Sequence, residues 1–374
     1  MSLLLSPLTL RGTTLRNRVW LAPMCQYSAG PDGVPTDWHL VHLGARAVGG
    51  FGLVLTEAAA VVPEGRISPQ DVGIWDDTQV VAWRRITDAI RAAGAASGIQ
   101  LAHAGRKAST YRPFDEGSGS VPLDEGGWPT TGPSQIAYPG YAVPQEMTPA
   151  QIAAVPGQFA DATRRALAAG FDLVEVHAAH GYLLHQFLSP LSNDRTDAWG
   201  GSLADRARLL LDTVDAVRAV LGERRALLVR LSATDWTEGG ITVEDVATVA
   251  GWLREHGVDL VDVSTGGNAR ASIPVGPGYQ VPFARTVRET SGVATAAVGM
   301  ITTPEQAEQI LAEGSADAVL LGRPALFDAA WPLRAAAALG DEAPVLAHHD
   351  DPRATVQPGQ PTGWPAQYGR GFWG

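Results

Sequence analysis

Short apolar runs alternate with amphipathic stretches along nearly the whole chain. Eight of the runs read as strands, at 19–24, 53–61, 98–104, 171–178, 226–233, 258–264, 294–301 and 317–321. Continuous apolar runs of this length suit strands buried on both faces. The stretches between them carry helical periodicity. Segment 202–222 opens on Ser202, a residue type that caps a first turn, and stops near Gly222. Segment 242–257 has the same form, with Thr242 as cap and Glu244 and Asp245 where the helix dipole favours acids. Such alternation implies parallel strands joined by crossover helices. Eight units predict an α/β fold of a single (β/α)8 TIM barrel. An open doubly wound sheet is the alternative, but no G-x-G-x-x-G follows the first strand.

Three stretches break the repeat. Residues 1–18 read as an N-terminal hairpin closing the barrel's bottom. Residues 106–147, after the third strand, are rich in Gly, Pro and Ser. So long a loop is usually functional, and a lid over the barrel's top is the expectation. Residues 341–374 form a Pro/Gly-rich tail. Pro156 lies inside the helical stretch after Thr148 and predicts a kink or restart. Residues 1–374 are read as a single domain.

Composition narrows the partners. The 374 residues are 45% hydrophobic and 18% charged, enough for a large core and unlike a disordered chain. A formal net charge of −11 argues against nucleic acid or an anionic membrane surface. Cys25 is the only cysteine, so neither an internal disulfide nor a cysteine-built zinc or iron–sulfur site can form. No run approaches the roughly 20 apolar residues of a membrane helix. The opening MSLLLSPLTLRG lacks a basic start and a cleavage pattern. A soluble, cytoplasmic protein is expected. Lys107 is the single lysine.

In barrel enzymes the chemistry sits at the C-terminal ends of the strands. Those ends carry Pro23, Met24, Cys25, Gln26 and Tyr27; Glu57 and Ala58; Gln100, His103, Arg106 and Lys107; His177 and His180. The later strands add Arg230, Ser264, Gly299, and Gly322 with Arg323. Carboxylates are few, with Glu57 the main one on the rim and Asp235 further along. A metal-dependent hydrolase wants several converging His and Asp/Glu ligands, and a Schiff-base aldolase wants a lysine at a strand end. The cationic rim suits an anionic ligand. Loops 298-VGMIT-302 and 321-LGRP-324 carry glycines that let backbone N–H groups approach phosphate, and Arg323 adds charge. Arg230 lies within ALLVRLSA and should point into the barrel mouth, where a buried arginine needs an anion. A ring that becomes anionic on reduction would serve. His177 and His180 read as metal ligands, as a proton shuttle or as packing. Their three-residue spacing, in a helical turn, would put both on one face.

The motifs 17-NRVWLAPMCQYS-28, 98-GIQLAHAGRK-107, 177-HAAHGYLLHQFLSPLSNDRTDAWGGS-202, 299-GMIT-302 and 322-GRP-324 resemble those of one family. It is the Old Yellow Enzyme family of flavin ene-reductases, and in particular its bacterial thermophilic-like subgroup. The resemblance runs over residues 7–374. It implies non-covalent FMN over the barrel mouth, with Pro23, Met24 and Cys25 along one side of the isoalloxazine. Ala58 and Gln100 would contact its pyrimidine part, with Arg230 near N1. Gly299, Met300, Gly322 and Arg323 would hold the phosphate. The hydride donor would be NADPH or NADH. The acceptor would be an activated alkene such as an enone, enal, maleimide or nitroalkene, competing for the same site.

Carried over further, His177 and His180 would hydrogen-bond the substrate's carbonyl or nitro oxygen, stabilising the charge that develops there. Hydride would pass from FMN N5 to the β-carbon and Tyr182 would protonate the α-carbon, a role that suits a phenol with a pKa of about 10. Cys25 would tune the flavin, and Tyr27 would sit beside the substrate. In the tail 367-QYGRGFWG-374, Arg370, beside Tyr368, would reach into a neighbouring site, implying a homodimer or a dimer of dimers. His185 has no role in the family and reads as structural. Trp199 stands where the family commonly has tyrosine. Two other readings remain open: a metal-dependent hydrolase using the two histidines, and a flavin-binding sensor or store without turnover.

Overall fold

The eight apolar runs pair in parallel and close into a barrel in the computed structural model, which describes residues 2–341. The barrel strands are β3 (Val19–Leu21), β4 (Leu53–Ala60), β5 (Ala96–Ala102), β8 (Leu173–Ala178), β9 (Leu227–Ser232), β10 (Leu260–Ser264), β11 (Ala294–Ala297) and β12 (Ala318–Leu321). Outside them, β1 (Leu8–Leu10) and β2 (Thr13–Leu15) form an antiparallel hairpin. Short strands β6 (Thr131–Gly132) and β7 (Gln145–Glu146) pair within the long loop.

Alternate residues of a strand face opposite sides. One set, including Val54, Ile99, Val176 and Val229, packs outward against the helices. The other set, including Trp20, Leu55, Leu173, Leu228 and Leu260, plugs the barrel's lower interior together with Leu10 and Leu15 of the hairpin. The hairpin therefore closes the bottom. Two residues up from the plug, the same inward parity delivers Glu175, Arg230 and Asp262, with Gln100 paired beside Glu175. Two further up it delivers His177, Ser232 and Ser264.

The helical shell comprises α1 (Asp37–Val48), α2 (Asp77–Ala92), α3 (Pro149–Ala168), α4 (Leu183–Leu188) and α5 (Leu203–Leu221), followed by α6 (Val243–Glu255), α7 (Val281–Ser291), α8 (Pro304–Ala312), α9 (Arg323–Phe327) and α10 (Trp331–Ala338). The expected caps form. The Ser202 hydroxyl accepts the Asp205 N–H, Thr242 accepts that of Asp245, and Gly222 ends α5 with φ 65°. No helix among the described residues is long and apolar enough to cross a membrane.

Two expectations are corrected. Pro156 does not restart its helix: α3 runs continuously from Pro149 to Ala168. The proline removes one N–H donor, but the buried stripe Ile152, Val155, Phe159 and Ala162 keeps the segment docked on the core. Several strands are shorter than the apolar runs; β11 stops at Ala297, because Gly299 and Met300 take left-handed φ values of 117° and 50°. The loop 106–147 is anchored at its start. Arg106 ties it down, donating to the Ile136 carbonyl at 3.0 Å and, from the other Nη, to the Asn268 carbonyl at 2.6 Å. Tail residues Tyr368 and Arg370 lie outside the described residues.

Candidate active site

His177 ends the inward row of β8, and its Nδ1 accepts the Ala179 N–H at 3.3 Å. His180 is not one helical turn further on, as the spacing suggested. It occupies a left-handed turn, φ 57°, followed by Gly181 at 74°. That reversal, rather than a helix face, swings the His180 ring back to 5.2 Å from the His177 ring, edge to face. Left-handed backbone is costly for a residue with a side chain, so the turn needs support. Its N–H donates to Ser232 Oγ at 2.9 Å, and Lys107 Nζ donates to its carbonyl at 2.8 Å and to that of Gly267 at 2.9 Å. Gly267 must be glycine: a Cβ there would stand 2.6 Å from His180 Cα. The single lysine is thus a clamp on the histidine turn, and sequence distance hid it.

Tyr182 follows as the N-cap residue of α4, with its ring 4.9 Å from that of His177. Together with Cys25 and Tyr27 it packs on the small apolar cluster of Ala58, Ile67, Ala102, Ala104 and Ala108. The long loop adds two aromatics that the sequence reading missed: Phe114 meets the Tyr27 ring at 6.0 Å, and Tyr138 lies under Lys107 Nζ at 4.7 Å. Burial sets the protonation states here. It pushes Tyr182 well above the ordinary phenol value, with Cys25 and Tyr27 adding to it. It raises the Cys25 thiol too, helped by Asp71 and Glu57. Burial, then Arg230, holds His177 and His180 well below the ordinary histidine value. Both imidazoles are therefore neutral, and each has one N–H to give.

Two electrostatic expectations change. Arg230 does point inward, but the anion nearest to it is protein: its Nε lies 2.8 Å from Asp262 on the adjacent strand. Glu57 is no open rim carboxylate, since it is buried against His39 at 3.1 Å and accepts the Gln26 N–H at 2.9 Å. The strand-end census missed Glu175 and Asp262. Glu175 accepts from Gln100 Nε2 at 2.8 Å, and burial plus Asp262 drives its pKa upward. Reading LVEVHA and LVDVS with period two would have found both, since each lies two residues before a mouth residue. His185 is structural as expected, bonded to the Gly181 N–H at 3.0 Å and facing buried Asp235 at 3.1 Å.

The residues present fit FMN. Where β12 pairs with β3, closure brings Met24 beside Gly322. A Cβ on Gly322 would meet only Met24 Sδ, at 3.6 Å, so an open cradle lies over this backbone. The N–H groups of Gly299, Met300 and Gly322 have no partner among the described residues, and exposed Arg323 has no acidic partner there. Unpaired donors beside an uncommitted guanidinium suit a phosphate. Gln100 and Arg230 stand in the inward polar layer of the barrel, and Ala58 belongs to the apolar cluster against which Cys25 and Tyr182 pack. Among the described residues no group of three or more His, Cys, Asp or Glu side chains converges as metal ligands.

Known proteins resemble this chain over most of its length. The sequence profile of the NADH:flavin oxidoreductase / NADH oxidase family matches residues 3–342. The NADPH dehydrogenase of Geobacillus thermodenitrificans (strain NG80-2) is 46% identical over 347 residues, covering 92% of this chain and 97% of that protein. The Old Yellow Enzyme homologue of Zymomonas mobilis superposes with a TM-score of 0.74 at 30% identity, over 88% of this chain and 91% of that one. Morphinone reductase in complex with tetrahydroNAD gives a TM-score of 0.73 at 28% identity, over 94% of this chain and 93% of that one. The chain therefore belongs to the NADH:flavin oxidoreductase / NADH oxidase family and is an FMN-dependent, NAD(P)H-using oxidoreductase of the Old Yellow Enzyme type.

Proposed function

We propose that this oxidoreductase reduces the C=C bond of activated alkenes: enones, enals, maleimides and nitroalkenes. The observation that carries the reading is the constellation of two neutral imidazoles and one protonated phenol, with ring centroids 5.2 and 4.9 Å apart, above the inward polar layer. Bound FMN supplies a hydride acceptor for the nicotinamide and a hydride donor for the alkene. His177 and His180 each donate one N–H to the substrate's carbonyl or nitro oxygen, where negative charge grows as the β-carbon is reduced. The Tyr182 hydroxyl, kept protonated by burial, gives its proton to the α-carbon. Tyr27 and Cys25 flank the substrate on the same apolar cluster. Phe114 and Tyr138 of the 106–147 loop stand against Tyr27 and Lys107 and add aromatic surface beside the substrate. On the same reading Arg370 of a second copy completes the site in a homodimer or dimer of dimers.

The test is an absorbance spectrum of the purified protein, taken anaerobically with NADPH and then with cyclohexenone. Flavin absorbance should bleach with NADPH and return with the enone. A protein that bleaches but is not reoxidised by enone, maleimide or nitroalkene would remove this substrate class while keeping the cofactor.

A further inference from the structure

We infer that Ser264, at the end of β10, fixes the tautomer of His180 and so decides whether the second donor exists. This inference rests on the proposed role of the two histidines. A neutral imidazole carries one N–H, and the partner of one nitrogen sets which nitrogen bears it. For His177 the choice is made by backbone: Nδ1 accepts the Ala179 N–H, so the proton sits on Nε2. For His180 the contact is reversed. Its Nε2 lies 2.7 Å from Ser264 Oγ, and its Nδ1 has no partner among the described residues. Neither His177 Nε2 nor His180 Nδ1 is sealed in the interior. Two donors for one substrate oxygen therefore require Nε2–H on His177 and Nδ1–H on His180. The second holds only if Ser264 gives its hydroxyl proton to His180 rather than accepting one.

The surroundings favour that direction. The other acceptor near Ser264 Oγ is Gln280 Oε1, at a long 3.4 Å. That oxygen already accepts from Thr265 Oγ1 at 2.7 Å. The Gln280 amide cannot usefully turn round, because its Nε2 donates to the Val298 carbonyl at 3.1 Å. The serine proton is left with His180 Nε2 as its near acceptor. Ser264 is buried, so water does not compete freely for it. Thr265 thus occupies the Gln280 oxygen and leaves Ser264 to His180, which lies 84 positions earlier in the chain. Ser264 does not touch the reacting atoms; it is a positioning residue for one that does.

The experiment compares wild type, Ser264→Ala and Ser264→Thr as FMN-loaded proteins labelled with ¹⁵N-histidine. The His180 ring resonances are identified by their loss in His180→Gln. Wild type should show Nδ1–H at His180, Ser264→Ala should move the proton toward Nε2, and Ser264→Thr should restore the wild-type pattern. In parallel, 4-hydroxybenzaldehyde is titrated against the flavin absorbance. Its affinity should fall roughly tenfold in Ser264→Ala, the loss of one hydrogen bond to a charged oxygen, and recover in Ser264→Thr. Nε2–H at His180 in wild type overturns the inference, and so does a Ser264→Ala variant with unchanged tautomer. Should Ser264→Ala fail to load FMN, the wild-type tautomer alone decides. The underlying reading is judged separately by His177→Ala: unchanged phenol affinity there removes the histidine role, whatever the tautomer of His180.

Discussion

Tyr182 is held in its protonated form by its own neighbours. It packs on an alanine-rich cluster beside Cys25 and Tyr27, whose own ionisation would be unfavourable there, and a phenolate in that place would be poorly solvated. A proton donor that cannot ionise at neutral pH is what an α-carbon needs at the end of hydride transfer. Tyr182→Phe should therefore slow the alkene half-reaction by about 10²- to 10⁴-fold, the usual worth of a positioned acid. The NADPH half-reaction should change little, since no proton is taken from Tyr182 in it. Anaerobic stopped-flow absorbance separates the two halves, and equal slowing of both would make Tyr182 a binding residue instead. His180 is the residue least legible in the sequence. Its left-handed φ could not be read from a histidine, although Gly181 beside it hinted at a turn. Tyr27 and Met300 share that conformation, so three of the six non-glycine residues with positive φ among those described lie at this site.

At the scale of elements, period-two alternation does most of the placing. A strand that places Leu173, Leu228 or Leu260 in the plug must present Glu175, Arg230 or Asp262 next and His177, Ser232 or Ser264 after that. The same rule shows why β11 and β12 hand over to glycine loops where the sheet runs out and the N–H groups lose their partners. The caps were legible too, because Ser202 and Thr242 act through local contacts three residues away. Partners from different elements were not: Arg230 with Asp262, Glu57 with His39, and Lys107 with the His180 carbonyl are each joined by tertiary packing and side-chain reach. Arg323 gives the element-scale prediction. It is exposed and carries no ion pair among the described residues, so Arg323→Ala should leave the apoprotein's melting temperature nearly unchanged. FMN affinity should fall by roughly 10- to 100-fold, as when one charge-assisted hydrogen bond to phosphate is removed. Fluorescence titration of apoprotein with FMN measures it, and wild-type affinity in the variant would move the phosphate elsewhere.

For the whole molecule, burial of histidines makes the fold acid-sensitive. His103 is buried at the end of β5 with Nδ1 accepting the Gly105 N–H, and burial lowers its pKa to about 4. His42, buried and facing Arg46 and His39, is lowered to about 4 as well. In the unfolded chain both return to about 6.5. Between those values the unfolded chain binds protons that the folded chain refuses, so this stability is complete above about pH 6.5 and is lost as pH falls toward 4. His103→Gln keeps an acceptor for Gly105 and removes one titration, so its melting temperature should drop less than wild type's over that range. Parallel slopes for the two proteins, in thermal melts across that pH series, would show that His103 contributes none of the acid sensitivity. By itself the sequence determined the barrel, its hairpin floor, the helix caps and the strand ends where the chemistry stands, because periodicity, capping and loop chemistry act over a few residues. Only the tertiary structure decided that Arg230 faces a carboxylate before any ligand, that a turn and not a helix brings His180 back to His177, and that Ser264 stands against His180. The first and last depend on strand register, which joins residues 32 and 84 positions apart, and the turn holds only through distant supports from Lys107 and Ser232.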